Sequence, residues 1–349
     1  MNQNNAITNT CKVGPIKEIV LLGGGGLLRK LSLWAKSENI LVKIVTSPRH
    51  EKEVLDNEKL SDFLNKNKIE YIASEDIGDN LVKAFLSNSK EAFFLSCGAA
   101  WIFKGSIIFS LFQNRLFNLH STDLPKNRGG GGFSWQIMMG IKTGYCTLHL
   151  IDGGIDTGPI VESEKFLFPP NAKKPIDFEN VSIKKNFEFL INFIKKYRSQ
   201  TATVNVTHQE ESLSSYWPRL NTDLNSWINW SYSIEELVKF ISAFDNPYNG
   251  AQTLLNGKKV RIKNVYSIEE NSCFHSYQNG IVYRKDNNCI FVAMKNSTLV
   301  VQEIYDENNN KIFEEVKVGD RFVTPSKKLE FLHSRVVYTP TGLKKIYSK

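Results

Sequence analysis

No cysteine pattern in the chain could build a disulfide framework or hold a metal. The five cysteines, Cys11, Cys97, Cys146, Cys273 and Cys289, are scattered, odd in number, and form no Cys-x-x-Cys or Cys/His cluster. They are expected to be reduced thiols of a cytoplasmic protein with no metal centre. Long apolar runs are missing too. The longest, "AFFLSCGAAWIF" from Ala92 to Phe103, is well short of the about 20 residues that span a bilayer. The opening "MNQNNAITNTCKVGP" is polar and lacks the apolar centre of a signal peptide, so no membrane contact is expected. There is no internal repeat and no low-complexity tract. The net charge of +8 is spread along the chain, with no dense basic block of the kind that announces nucleic acid. A small anionic ligand is compatible with it.

Nucleotide-binding glycine motifs are also absent, although glycines run four in a row twice, at Gly23–Gly26 and Gly129–Gly132. A dinucleotide fold asks for Gly-x-Gly-x-x-Gly. Counted from Gly23 or Gly24, the final position is Leu28 or Arg29. No acidic residue ends the second apolar run, and no Gly-Lys-Ser/Thr makes a P-loop. The first run reads as a tight turn from strand to helix. The second is open to three readings: a phosphate cradle, a flexible linker, or the floor of an active site.

What is present is alternation. "KEIVLLGG", "ILVKIVTSP", "YIAS", "EAFFLSCGA" and "LFNLH" are short apolar runs separated by amphipathic segments such as "EKLSDFLNKNKIE". This predicts an α/β domain with an open, mainly parallel sheet over 17–200. The long amphipathic segment 182–200 closes it, and Lys184, Lys185, Lys195 and Lys196 read as its solvated face. The polar stretch 201–215 reads as a linker. Beyond it, a helix at 233–244 precedes short alternating runs, which predict a small β-barrel domain over 216–325. Residues 326–349 read as a peripheral tail.

Three polar features stand out from this framework. Asn118 and His120, two apart in "LFNLH", project from one face of a strand at its C-terminal end. In open α/β sheets ligands bind at such ends. The turn "DGGIDTGP" carries Asp156, which alone reads as a turn-former. His149 reads as a lone structural histidine.

"FNLHSTDLPKNRGG" followed by "CTLHLIDGGIDTGPIV" resembles the folate-dependent formyltransferases. That family carries Asn-x-His, a Leu-Pro turn with Arg-Gly, and a Gly-x-Asp-x-Gly turn. "WINWSYSIEELVKFISAFDNPYNGAQTLLNGKKVRI" resembles the segment that opens its OB-like C-terminal domain. The likeness extends over roughly 17–325 and implies a Rossmann-like first domain and an OB-like barrel. It also implies formyl transfer from N10-formyltetrahydrofolate to an amine, with Asn118, His120 and Asp156 as the catalytic residues. An asparagine amide can donate to the tetrahedral oxyanion. A histidine, ordinarily titrating at about 6.5, can exchange the proton leaving the amine. By the same resemblance, Asp156 biases the protonation of His120 and holds a relaying water. The folate lies against Trp101, Ile102 and Phe103, Thr122, Asp123, Leu124 and Pro125, and Asp152, Gly153, Gly154 and Ile155. Arg128, Gly129 and Gly130 face the acceptor, for which Gly130–Gly132 are expected to make room.

The chain departs from the family pattern at Tyr145, Asp123, Asn127 and Gly130, none of them in the triad. The region after the second run, "TSPRHEKEVLDNEKL", balances acids against bases where methionyl-tRNA formyltransferases carry a basic loop. The expected acceptor is therefore a nucleotide-linked 3-amino or 4-amino sugar of the kind used in surface polysaccharides. Methionyl-tRNA is the alternative acceptor, and a non-catalytic nucleotide-binding module is the alternative class. The expectation leaves room for a homodimer. The module reading is separated from the enzyme by whether Asn118, His120 and Asp156 converge.

Overall fold

The computed structural model describes residues 9–130, 132–268 and 273–330, and the backbone of Tyr338–Thr339 and Gly342–Leu343. Gly131 and most of the expected tail lie outside the described residues. The chain forms two compact units that interleave in sequence. One comprises Met1–Gly129, Thr143–Leu167 and Val181–Tyr216; the other comprises Gly130–Lys142, Phe168–Asn180 and Trp217–Lys349. The division differs from the contiguous 17–200 and 216–325 read from the sequence. Two pieces of the first stretch belong by their packing to the second unit.

The first unit is built on a seven-stranded sheet. The strand β1 (Thr10–Val13) stands outside that sheet, which runs through β2 (Glu18–Gly23), β3 (Leu41–Thr46), β4 (Glu70–Ala73), β5 (Phe93–Cys97), β6 (Leu116–His120), β7 (Thr143–Leu150) and β8 (Ile160–Leu167). The spatial order is β8-β7-β6-β5-β2-β3-β4. The five strands from β6 to β4 are parallel, and β7 and β8 extend the sheet antiparallel. The runs of β2 and β5 are buried along nearly their whole length, as a sheet covered on both faces requires. The order reverses between β2 and β5, the topological switch where ligands of open sheets gather. Antiparallel pairing sets Asn118 directly opposite His149 and His120 opposite Thr147.

Residues 201–215 carry more structure than a linker. Ala202–Asn205 forms β9, antiparallel to β1, and Thr207 exchanges backbone hydrogen bonds with Ile160. Only four residues long and set in a polar stretch, it gives too brief an alternation to mark an edge strand in the sequence.

In the second unit, the helix Ile234–Ala243 starts with a capping box between Ser233 and Glu236 and buries Leu237, Phe240 and Ile241. A six-stranded antiparallel sheet follows. Its ends meet: Ile281 bridges Arg321, and the Phe322 N–H donates to Gly280 O at 2.8 Å. The sheet is thus a closed small barrel, which leaves no free edge. The helix Gly132–Met138 joins this unit, with Ser134 Oγ donating to Ala243 O at 2.8 Å. Residues 168–180 join it through Phe168 stacked on Phe178 at 4.1 Å. The long helix expected over 182–200 spans Pro175–Tyr197. It starts earlier because the Asp177 carboxylate accepts the Lys173 and Lys174 N–H groups at its N-terminus. Among the described residues no helix is long and apolar enough to cross a membrane.

Candidate active site

The topological switch itself is closed by the glycine turn. The Gly24 N–H donates to Cys97 O at 3.2 Å, and a Cβ on Gly23 would lie 2.2 Å from the same oxygen. The helix Gly25–Ser37 opens there, and its Gly25 N–H already binds the Glu53 carboxylate at 2.9 Å. A helix N-terminus neutralised by the chain's own acid does not cradle a phosphate. The polar cluster lies at the end of β6, beyond β5 from this turn.

There the three expected side chains converge. Asn118 Nδ2 lies 3.5 Å from Asp156 Oδ1, and His120 Nδ1 lies 3.6 Å from Asp156 Oδ2. His120 Nε2 faces Asn127 O at 3.1 Å. A neutral imidazole bound to a carbonyl there carries its hydrogen on Nε2, which leaves the Nδ1 lone pair toward Asp156. His120 and Asp156 are mostly but not fully covered, with side-chain exposures of 12% and 17%.

A fourth residue belongs to the cluster. His149, read from the sequence as a lone structural histidine, is 1% exposed, with Nε2 3.0 Å from Asn118 Nδ2 and 3.7 Å from Asp156 Oδ1. Its Nδ1 lies 2.8 Å from Leu150 O, so that nitrogen carries the hydrogen and Nε2 accepts from Asn118. This assigns the Asn118 amide: its NH2, not its oxygen, faces Asp156 and the cleft. Burial pushes the His149 pKa down to about 4; the Asp156 charge opposes the shift and His120 adds to it. His149 is therefore a neutral acceptor at physiological pH. The signal that could have found it is the strand register, which seats it across from Asn118.

Asp156 is held from several sides. Its φ is +53°, a left-handed conformation that non-glycine residues adopt mainly in turns. The Gly129 N–H donates to its Oδ2 at 2.9 Å. Gln209 Nε2 donates to Asp156 O at 2.8 Å and to Gly158 O at 2.7 Å.

The other expected site residues divide. Ile102 is 48% exposed, whereas Trp101 is half-buried against the core and its Nε1 donates to Glu75 O at 3.1 Å. Phe103 is instead core, buried with Phe94, Phe112 and Leu116. Thr122 is buried too: its Oγ1 donates to Asn127 O at 2.8 Å. Leu124 is buried and precedes Pro125, whereas Asp123 is half-buried. In the turn, Asp152 Oδ1 accepts the Gly154 N–H at 3.0 Å and the Thr157 hydroxyl, so it shapes the loop. Gly153 and Gly154 are exposed and Ile155 half-buried.

Arg128, expected to face the acceptor, is 1% exposed. Its Nε donates to Gln209 Oε1 at 3.0 Å, and its Nη1 to Glu211 Oε2 at 2.8 Å and Tyr216 OH at 3.0 Å. A buried guanidinium must find partners, and these are protein groups. Gly129 serves through its backbone. Gly130 donates its N–H to Trp217 O, and a Cβ there would meet Arg219 at 3.0 Å.

Residues 222–315 match the family model described as formyl transferase, C-terminal domain. The chain is 29% identical over 195 residues to a methionyl-tRNA formyltransferase of Syntrophus aciditrophicus (strain SB), a match covering 56% of this chain and 60% of that protein. It thus spans about 60% of that curated relative's length. Its fold is similar to that of WlaRD, a sugar 3N-formyl transferase solved in the presence of dTDP and 5-N-formyl-THF. That match has a TM-score of 0.59 and 20% identity, covering 83% of this chain and 98% of the other. It is likewise similar to an N-formyltransferase from Helicobacter canadensis solved with folinic acid and dTDP-3-aminofucose. There the TM-score is 0.60 and the identity 20%, covering 82% of this chain and 99% of the other.

Proposed function

We propose that the chain is a folate-dependent formyltransferase that moves a formyl group from N10-formyltetrahydrofolate to the primary amine of a nucleotide-linked amino sugar, a reading supported by its likeness to formyltransferases. The observation that carries this reading is the convergence of Asn118, His120 and Asp156 at the end of one strand, with an acceptor on each side of the His120 ring.

The chemistry follows from that arrangement. An amine attacks the formyl carbon, and negative charge grows on the formyl oxygen. Asn118 Nδ2 spends one hydrogen on His149 at 3.0 Å. The other is held only by a long 3.5 Å contact with Asp156, so it is free to turn to the oxyanion. The proton leaving the amine goes to the Nδ1 lone pair of His120. The imidazolium then has an acceptor for each N–H, Asn127 O on one side and the Asp156 carboxylate on the other. Collapse of the tetrahedral intermediate breaks the bond between the formyl carbon and N10, and the imidazolium returns its proton to N10 as tetrahydrofolate leaves. The half-buried Trp101 and the exposed Ile102, beside the buried Phe103, offer apolar surface suited to a pterin ring.

The sugar is favoured over tRNA by the segment 46–60. Its cations Arg49, Lys52 and Lys59 are interspersed with Glu51, Glu53, Asp56 and Glu58; Arg49 meets His50 at 2.9 Å, and Glu53 accepts the Gly25 N–H. Arg29 reaches in to bind the Glu53 and Glu58 carbonyls. Cations outnumbered by neighbouring acids make a poorer field for a phosphate backbone than an unopposed basic cluster does. The curated relative is a methionyl-tRNA formyltransferase, which keeps that acceptor as the second reading. The test is incubation with N10-formyltetrahydrofolate and a panel of nucleotide-linked amino sugars and methionyl-tRNA, read by product mass. Formylated sugar with unmodified methionyl-tRNA is expected. Formylation of methionyl-tRNA alone overturns the sugar assignment, and no formylation in any arm overturns the activity.

A further inference from the structure

We infer that Gln209, in the segment the sequence presents as a linker, is a positioning residue that holds the catalytic turn in its working conformation. The inference rests on the proposed formyl transfer for its catalytic consequence, but its geometry stands alone. One amide nitrogen satisfies two carbonyls of the turn, Asp156 O at 2.8 Å and Gly158 O at 2.7 Å. Its oxygen accepts from the buried Arg128 Nε at 3.0 Å. Only one orientation of the amide serves all three partners, since the carbonyls need donors and the guanidinium needs an acceptor.

The arrangement grips Asp156 at both ends. The Arg128 side chain acts through Gln209 on the Asp156 backbone carbonyl, while the next backbone N–H, that of Gly129, binds the Asp156 carboxylate at 2.9 Å. Asp156 sits at φ +53°, so its turn has little intrinsic preference for this geometry and depends on such ties. Glu211, two residues on, clamps the other arm of Arg128 at 2.8 Å and anchors the segment. Releasing the turn would let the carboxylate drift from His120, and a displacement of about 1 Å at a reacting group can lower turnover about a hundredfold.

Two variants test this. Gln209→Glu keeps the shape but turns an oxygen toward the two carbonyls, and Gln209→Met keeps the length but removes all three bonds. Each should lower kcat by roughly 10- to 100-fold while KM for donor and acceptor stays within about threefold. Independently of activity, hydrogen exchange at the Gly129 amide should quicken at least about tenfold, with exchange in β2 and β5 unchanged. Thermal melting checks folding, and if Gln209→Glu does not fold, Gln209→Met decides. A kcat within twofold of the parent, or unchanged exchange at Gly129, overturns the inference. If the parent itself transfers no formyl group, the proposed activity fails, and the exchange measurement alone decides whether Gln209 holds the turn.

Discussion

Acidification should weaken the fold through His149, and by an amount that the burial of that ring sets. A free histidine titrates at about 6.5, whereas in the fold burial among neighbouring groups pushes His149 down to about 4. The unfolded chain therefore binds the extra proton first. Stability that is fully present above about pH 6.5 is lost as pH falls, and the loss levels off below about pH 4. At about pH 5 the unfolded ring is almost wholly charged and the folded ring about a tenth charged. The resulting partition of about thirtyfold costs the folded state about 2 kcal/mol relative to neutral pH. Urea unfolding of the parent and of His149→Gln, at several values between about pH 7 and pH 5, isolates this contribution. Glutamine can still accept from Asn118 but does not titrate, so the variant should lose about 2 kcal/mol less over that window, with the denaturant slope unchanged. Histidines and carboxylates outside this cluster contribute equally to both proteins and cancel, and the same pair of curves in the Asp156→Asn background separates the effect of the neighbouring charge. Curves that run parallel within about 0.5 kcal/mol would show that the ring is not held neutral by burial.

Two further outcomes are expected. His120→Ala and Asp156→Asn should each lower formyl transfer by orders of magnitude without unfolding the protein. Asparagine tolerates the left-handed φ at 156, so the turn is kept while the charge and one of the two acceptor oxygens are removed. Near-parent turnover by either variant refutes the assigned roles. Gly158→Ala should destabilise the first unit by about 3 kcal/mol or prevent folding, as measured by thermal melting. Its added Cβ would lie 1.8 Å from Leu150 O, a backbone atom of β7 that cannot swing aside. A melting temperature equal to the parent's would contradict the close approach.

Much of the architecture is written in local pattern. The uninterrupted apolar runs at Ile19–Leu22 and Phe93–Leu95 are what a sheet covered on both faces needs, and they became its central parallel strands. Asn118 and His120 had to share a face because strand side chains alternate with a period of two. The helix read at 233–244 forms as Ile234–Ala243, its first turn closed by the local Ser233 and Glu236 pair. Features of this kind depend on neighbours within a few residues, so the amino-acid order determines them directly.

What the sequence could not determine depends on which segments lie side by side. His149 looks like any histidine in an apolar strand until antiparallel register places it across from Asn118, and burial then makes it a neutral acceptor. Arg128 reads as a cation facing the acceptor until Glu211, Tyr216 and Gln209 close around it. Gln209 lies 53 residues beyond Asp156 in a polar stretch with no period, and only the fold brings its amide to the turn. Residues 130–142 and 168–180 pack with the second unit although they interrupt the first. Hydrogen-bond pairing and burial are set by distance in space. The sequence determined the strands, the shared face and the types of reactive group. The tertiary structure decided which groups are partnered, which are buried, and hence which carry charge.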